Sequence, residues 1–169
     1  SEIVEYSNGK GFENVGIIAG NLEGPIVYDP VFISDHSMTF SFNEKIGEVL
    51  KENNFDVVSL ANNHTLNMGK EGLKETKEIL SNNEIAFMGD AAACSIEDIY
   101  VKDNFIFYGI NQTFDFNCSK EEIIENIKKL KERHSNKFLI VLPHWGEEYA
   151  HNPSDLQIDL AHAMIDNGA

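Results

Sequence analysis

Phe55-Asp-Val-Val-Ser-Leu-Ala-Asn-Asn-His64 decides how this chain is read. An apolar run from Phe55 to Ala61 turns abruptly into two carboxamides and an imidazole, as a strand does when it delivers polar side chains to the lip of a sheet. In an α/β domain that lip is where ligands bind. Two other runs end in the same way: Val15-Gly-Ile-Ile-Ala-Gly-Asn21-Leu-Glu23-Gly-Pro25 and Phe138-Leu-Ile-Val-Leu-Pro-His144-Trp-Gly146. Three strand ends thus offer Asn21, Glu23, Asn62, Asn63, His64 and His144 to what reads as one edge. The set mixes oxygen and nitrogen donors and contains no thiolate, which suits a hydrolytic metal site better than a structural zinc. Taken alone, Asn62-Asn63-His64 reads equally well as a turn or a satisfied hydrogen-bond cluster. Three such ends in one short chain favour a site.

Outward from this core, apolar segments and amphipathic helices alternate. Strands are expected at 15–19, 56–61, 85–88, 98–101, 105–110 and 138–142, and helices at 43–53, 70–82, 120–133 and from Asp155 onward. The βαβα order predicts an α/β fold with a largely parallel sheet covered on both faces. Ser119-Lys-Glu-Glu122 and Ser154-Asp-Leu-Gln157 both match the capping box at a helix start. Ile123, Ile124, Ile127 and Leu130 form one apolar stripe, which is core. The segments 89–98 and 111–117 interrupt the pattern and are candidates for shaping a cleft. At 169 residues the chain reads as a single domain, 1–169, able to bury a core without staples.

Charge and cysteine content narrow the function. There are 28 acidic against 13 basic residues, a formal net charge of -15. No basic footprint for nucleic acid or an anionic membrane stands out. Such a surface repels an anionic polymer, so binding one is expected to need a divalent cation or local basic residues. Cys94 and Cys118 form no CxxC pair, so neither a disulfide framework nor a cysteine metal knuckle is written, and the redox compartment stays open. No apolar run approaches the roughly 18 residues of a membrane span, and any membrane association is expected through segments outside this chain. Both ends read as cut: residues 1–14 have weak strand character, and Asp166-Asn-Gly-Ala169 stops where a further strand should follow.

Asn21-Leu-Glu-Gly-Pro25, the stretch Phe55 to His64 with Gly69 and Glu71-Gly-Leu73, and His144-Trp-Gly-Glu-Glu-Tyr149 with Pro153 and Gln157 together resemble the bacterial capsule-synthesis CapA (poly-γ-glutamate capsule biosynthesis) family. The three blocks occur in family order and cover most of the chain. The resemblance implies a four-layer α/β/β/α sandwich of the calcineurin-like metallophosphoesterase type, incomplete here, with two divalent metal ions at the strand ends; Mn, Fe, Zn and Mg all fit. It implies Asn21, Glu23, Asn63 and His144 as metal ligands and His64 as the catalytic group that meets developing negative charge. It also implies metal-dependent hydrolysis of a phosphoester or a γ-glutamyl amide, an extracellular or cell-envelope location, and an anionic polymer or phosphoester as substrate. The alternative is a non-catalytic module that binds or anchors such a polymer. The family's usual Gly-Asp strand end and distal Gly-His-His-Pro-His-like segment are absent, and Asn67 stands where the family commonly has Asp. These departures predict a partly metallated, catalytically poor chain, with sheet edges that a homo-oligomer would cover.

The remaining candidates read as structural or open. His36 lies in a polar loop, His134 at a helix C-terminus that favours a cation, and His162 within the last helix. Around His144 to His151 the spacing is not His-Glu-x-x-His, and Pro143 and Gly146 oppose a helix. Trp145 and Tyr149 are candidates for an aromatic wall or for simple packing.

Overall fold

The computed structural model describes residues 16–31, 38–113 and 118–169. The expected strand character of 1–14, His36, and loop residues 114–117 lie outside them. Among the described residues the fold is mixed α/β, with three small sheets and four helices. The strands are β1 (Ala19–Asn21), β2 (Ile26–Val27), β3 (Phe42–Asn43), β4 (Val57–Ser59), β5 (Ala86–Met88), β6 (Ile99–Lys102), β7 (Phe105–Gln112) and β8 (Phe138–Trp145). The helices are α1 (Lys45–Glu52), α2 (Gly69–Asn82), α3 (Lys120–Arg133) and α4 (Asp155–Asp166).

The single, largely parallel sheet expected from the alternation is corrected. One sheet runs β1-β4-β5, all parallel. Another runs β6-β7-β8, antiparallel between β6 and β7 and parallel between β7 and β8. The parallel pair β2-β3 stands apart. The physical reason lies between β6 and β7, where Asp103-Asn104 makes a tight hairpin with Asp103 at φ 51, so the chain reverses instead of crossing over through a helix. Strand β1 also falls later than 15–19, which puts Asn21 inside the strand as the partner of Ser59.

Three apolar clusters hold these parts together. Leu22, Ile26, Val58, Leu60, Ile79 and Leu80 join β1, β2 and β4 to α2. Val57 and Met88 of the first sheet meet Phe107 of the other, with Ile17, Tyr100 and Leu142 around them. Ile106, Tyr108 and Ile110 pack under Ile123, Ile127 and Leu130 of α3 and Leu160 and Met164 of α4. The two three-stranded sheets come close because Gly109 has no side chain: a Cβ there would lie 2.7 Å from Ser59 Oγ. Asp56 ties the same pair, accepting from Ile18 N–H at 2.8 Å and pairing with Lys102 of β6.

Helix starts follow the sequence signals. The Ser154 hydroxyl accepts from Gln157 N–H while Gln157 Oε1 accepts from Ser154 N–H, a complete capping box. At Ser119 the hydroxyl accepts from Glu122 N–H. Glu121 and Glu122 open α3 while Lys131 and Arg133 close it, matching the helix dipole. The stripe is core as expected, Ile123, Ile127 and Leu130 being fully buried.

Cys94 and Cys118 are joined in a disulfide, which no sequence spacing announced. It clips the 89–98 loop to the start of α3. The same loop is held from beneath, where the Cys94 carbonyl accepts from Tyr108 Oη at 3.1 Å and from Asn126 Nδ2 at 2.7 Å. Burial pushes the Tyr108 phenol up to about 12, with the Asn126 hydrogen bond opposing it. The 89–98 loop therefore packs on β7, with Asn111 Nδ2 donating to the Ala91 carbonyl.

Candidate functional site

The end of β1 builds the first wall. Leu22 is buried and anchored by its N–H to the Ser59 carbonyl at 3.1 Å. Gly24 follows at φ +146, where a Cβ would come within 2.9 Å of the Phe42 ring. Held between an anchored residue and a turn that demands glycine, Glu23 projects outward with its side chain 46% exposed.

The end of β4 builds the second. Asn62 is fully buried. Its Nδ2 donates to Asn21 Oδ1 at 3.0 Å and to the Leu22 carbonyl at 2.9 Å, and its Oδ1 accepts from His64 N–H at 3.0 Å. One side chain thus locks the ends of β1 and β4 in register. Asn63, its neighbour, points the other way and is exposed. His64 is buried, with the Phe40 ring 4.3 Å from its own.

The third wall comes from the other sheet. His144, the register partner of Asn111, lies near the end of β8, which runs on past 142 to Trp145. Its Nε2 is 2.7 Å from Asn63 Oδ1 and 3.7 Å from Glu23 Oε1. His64 Nε2 is 3.9 Å from that same carboxylate oxygen. All five predicted residues therefore converge, although they come from two sheets. Asn21 takes a supporting position: its oxygen, the atom that would face a cation, accepts from Asn62, and its Nδ2 lies 3.4 Å from Glu23 Oε2.

Protonation follows from the partners. Asn67 Nδ2 lies 3.0 Å from His64 Nδ1 and 3.4 Å from the Met38 carbonyl, which only accepts. The amide nitrogen is thus the atom turned to the ring, so neutral His64 accepts at Nδ1 and carries its proton on Nε2, facing Glu23. Burial holds the His144 ring below its ordinary value, Glu23 pulling the other way and His64 adding to the depression. Neutral at pH 7, His144 can serve as a nitrogen ligand once Nε2 gives up the proton it donates to Asn63 Oδ1.

These groups open into a hollow of about 510 Å³, lined by Glu23, Asn63, Thr113, His144, Glu147 and Glu148 among others. Among the described residues no group of three or more His, Cys, Asp or Glu side chains is clustered tightly enough to hold a metal ion. With the Asn63 carbonyl included, Glu23 Oε1, Asn63 Oδ1 and His144 Nε2 form one set of three donors. Donors bound to one ion at roughly 2.0–2.2 Å stand about 3 Å apart, and the 2.7 and 3.7 Å separations bracket that distance. Those two separations suit one divalent ion held at His144 between Asn63 and Glu23.

The bacterial capsule synthesis protein PGA_cap family model matches residues 9–104 and 100–169, nearly the whole chain. The chain belongs to this family. It is 30% identical over 173 aligned residues to the PGA biosynthesis protein CapA of Bacillus subtilis (strain 168), covering 90% of this chain and 44% of that protein. It is 27% identical over 184 aligned residues to the capsule biosynthesis protein CapA of Bacillus anthracis, covering 93% of this chain and again 44% of the relative. The chain thus spans under half the length of these relatives.

Sequence reasoning missed several residues that shape the site. Asn62 was read with its neighbour as a pair of carboxamides, and nothing in Asn-Asn says which is buried. Thr113 lies in the 111–117 segment expected to shape a cleft, and Glu147 and Glu148 in the block that carries the family resemblance, but neither signal gave these residues a role of their own. Tyr149 is 94% exposed and builds no wall, whereas Trp145 lines the hollow and packs on the α3–β7 core. Of the other imidazoles, His134 caps the end of α3, and His151 and His162 are exposed.

Proposed function

We propose that this chain forms part of a cell-envelope capsule biosynthesis protein, a single partial domain of the four-layer α/β/β/α metallophosphoesterase type, with a metal-assisted hydrolytic site at its strand ends. The observation that carries this reading is the convergence of Glu23, Asn63 and His144 on one hollow from two different sheets. The disulfide between Cys94 and Cys118 supports a compartment outside the cytoplasm, where such bonds persist. Among the described residues no helix is long and apolar enough to cross a membrane.

In this reading Glu23, Asn63 and His144 hold a divalent ion, which when bound supplies Lewis-acid polarisation of a phosphoryl or carbonyl oxygen. The chain's own residues do the rest. Asn62 fixes the spacing of Glu23 and Asn63 by locking both loops. His64 presents Nε2–H to negative charge developing beside Glu23, and Asn67 keeps that proton in place from behind. The substrate is a phosphoester or a γ-glutamyl amide of an anionic polymer. The test is turnover of a generic phosphodiester and of a γ-glutamyl anilide by the full-length protein with manganese. His64→Ala is expected to lose about 10²- to 10³-fold in turnover, the usual cost of removing one donor to a developing charge. Turnover by His144→Ala equal to wild type would refute the ligand assignment.

One observation favours a second reading, a polymer-binding module without turnover: among the described residues no group of three or more His, Cys, Asp or Glu side chains is placed to hold a metal ion. Saturable polymer binding with no product in either assay would support it.

A further inference from the structure

Beside the hollow at Glu23 and His144 lies another of about 490 Å³. The two meet along Thr113, Trp145, Gly146 and Glu147. Each is within the size range of small-ligand clefts. The second differs in chemistry. Trp145, Leu156 and Leu160 give it an apolar surface, while Gln112 and Asn152 add carboxamides. Among the described residues that line it, none is Lys or Arg and Glu147 is the single carboxylate.

Such a lining discriminates by charge. An anionic group entering it would lose water, find no cation, and face Glu147; that is costly. Methylene groups, in contrast, would cover Leu156, which is 81% exposed, at a gain of about 25 cal/mol per Å². A ligand amide has one donor and one acceptor, and the exposed Asn152 carboxamide carries both complements, whereas Gln112 Nε2 is already engaged by the Asn111 and Cys118 carbonyls. We propose that this second hollow is a subsite for the uncharged main chain of a polyamide ligand. It holds the methylene and amide groups of the unit next to the one at Glu23 and His144, and leaves the ligand's carboxylates in solvent. The proposal rests on the reading of the cleft as a γ-glutamyl-polymer site and adds which groups of the polymer are recognised. It also gives a chain of net charge -15 a means to hold a polyanion without a bridging cation.

Trp145 is the only tryptophan of this chain, so its emission reports on the hollow. The 169-residue chain is titrated with a short γ-linked oligoglutamate and with the same oligomer after conversion of its carboxylates to carboxamides, in chelator, at low salt and at 1 M salt. The amidated oligomer is expected to shift Trp145 emission and to bind at least as tightly as the acidic one. Its Kd should change by less than about twofold with salt, since nothing charged is being screened. Leu156→Glu and Asn152→Ala should each weaken it by about tenfold, the size of one partly buried apolar or hydrogen-bonded contact. Both positions are exposed, so folding is not at stake. A silent Trp145, or wild-type affinity in both variants, overturns the proposal. Binding of the acidic oligomer only with a divalent ion and without a Trp145 response overturns the subsite but leaves the capsule-polymer reading standing. A Trp145 response in this chain, alongside no turnover by the full-length protein, supports the subsite and refutes hydrolysis.

Discussion

Asn62 and Asn63 are adjacent in sequence and identical in chemistry, and they should fail in opposite ways. Asn62→Ala removes three unshared hydrogen bonds, to Asn21 Oδ1, the Leu22 carbonyl and His64 N–H, from a fully buried position, besides one from Thr65 Oγ1 whose proton is shared with the Leu60 carbonyl. At about 1 kcal/mol net for each, the loss is about 3 kcal/mol. That is a large share of the roughly 5–15 kcal/mol that holds a domain folded. For a chain of this size it corresponds to a fall in Tm of about 6–12 °C. Asn63→Ala removes one exposed contact, to His144 Nε2, and should leave Tm within about 2 °C, because exposed substitutions seldom exceed 0.5 kcal/mol. Calorimetry of the two variants beside wild type measures the stability difference, and manganese titration by calorimetry measures ion affinity. Asn63→Ala should lose ion affinity with its fold intact. Equal Tm losses in the two variants, or a loss below about 2 °C for Asn62→Ala, would refute the assignment of one residue to the frame and the other to the site.

Three further outcomes are expected. Because burial depresses His144 below its ordinary value of 6.5, the unfolded chain binds that proton first as pH falls; the stability His144 contributes is complete above pH 6.5 and is lost as pH drops through the lower native value, and any acid limb of activity that reports His144 should lie below pH 6.5 in a pH–rate profile. Asn67→Asp replaces a donor to His64 Nδ1 with an acceptor, so the ring proton should move to Nδ1; ¹⁵N NMR of the imidazole reads this directly, and an unchanged tautomer would show that Asn67 does not set it. The Cys94–Cys118 bond closes a loop of sequence separation 24, for which chain entropy gives about 3 to 4 kcal/mol, so Cys118→Ser or a reductant should lower Tm by roughly 10 °C in differential scanning fluorimetry; no shift with reductant would refute that contribution.

The sequence by itself determined the elements that local chemistry specifies. Helix α3 begins and ends at the expected residues because Ser119 supplies a cap and Ile123, Ile127 and Leu130 supply a period, and both signals are confined to a few neighbouring residues. It also determined that Asn21, Glu23, Asn63, His64 and His144 lie at strand ends, since each follows an apolar run that must be buried. Only the tertiary structure decided what those ends belong to. Whether β8 joins the sheet of β4 or another depends on a two-residue hairpin after β6 and on the absence of a side chain at Gly109, where the two sheets come together at Ser59. Pairing of Cys94 with Cys118, burial of Asn62 instead of Asn63, and the proton position on His64 are likewise decided across the fold. Each depends on which partner arrives from 24 or more residues away, except the contact of His64 with Asn67, and even there the second acceptor, Met38, comes from a distant loop. A spacing rule reads neighbours along the chain; a hydrogen bond or a close approach is settled by neighbours in space, and the chemistry at Glu23 and His144 is of that second kind.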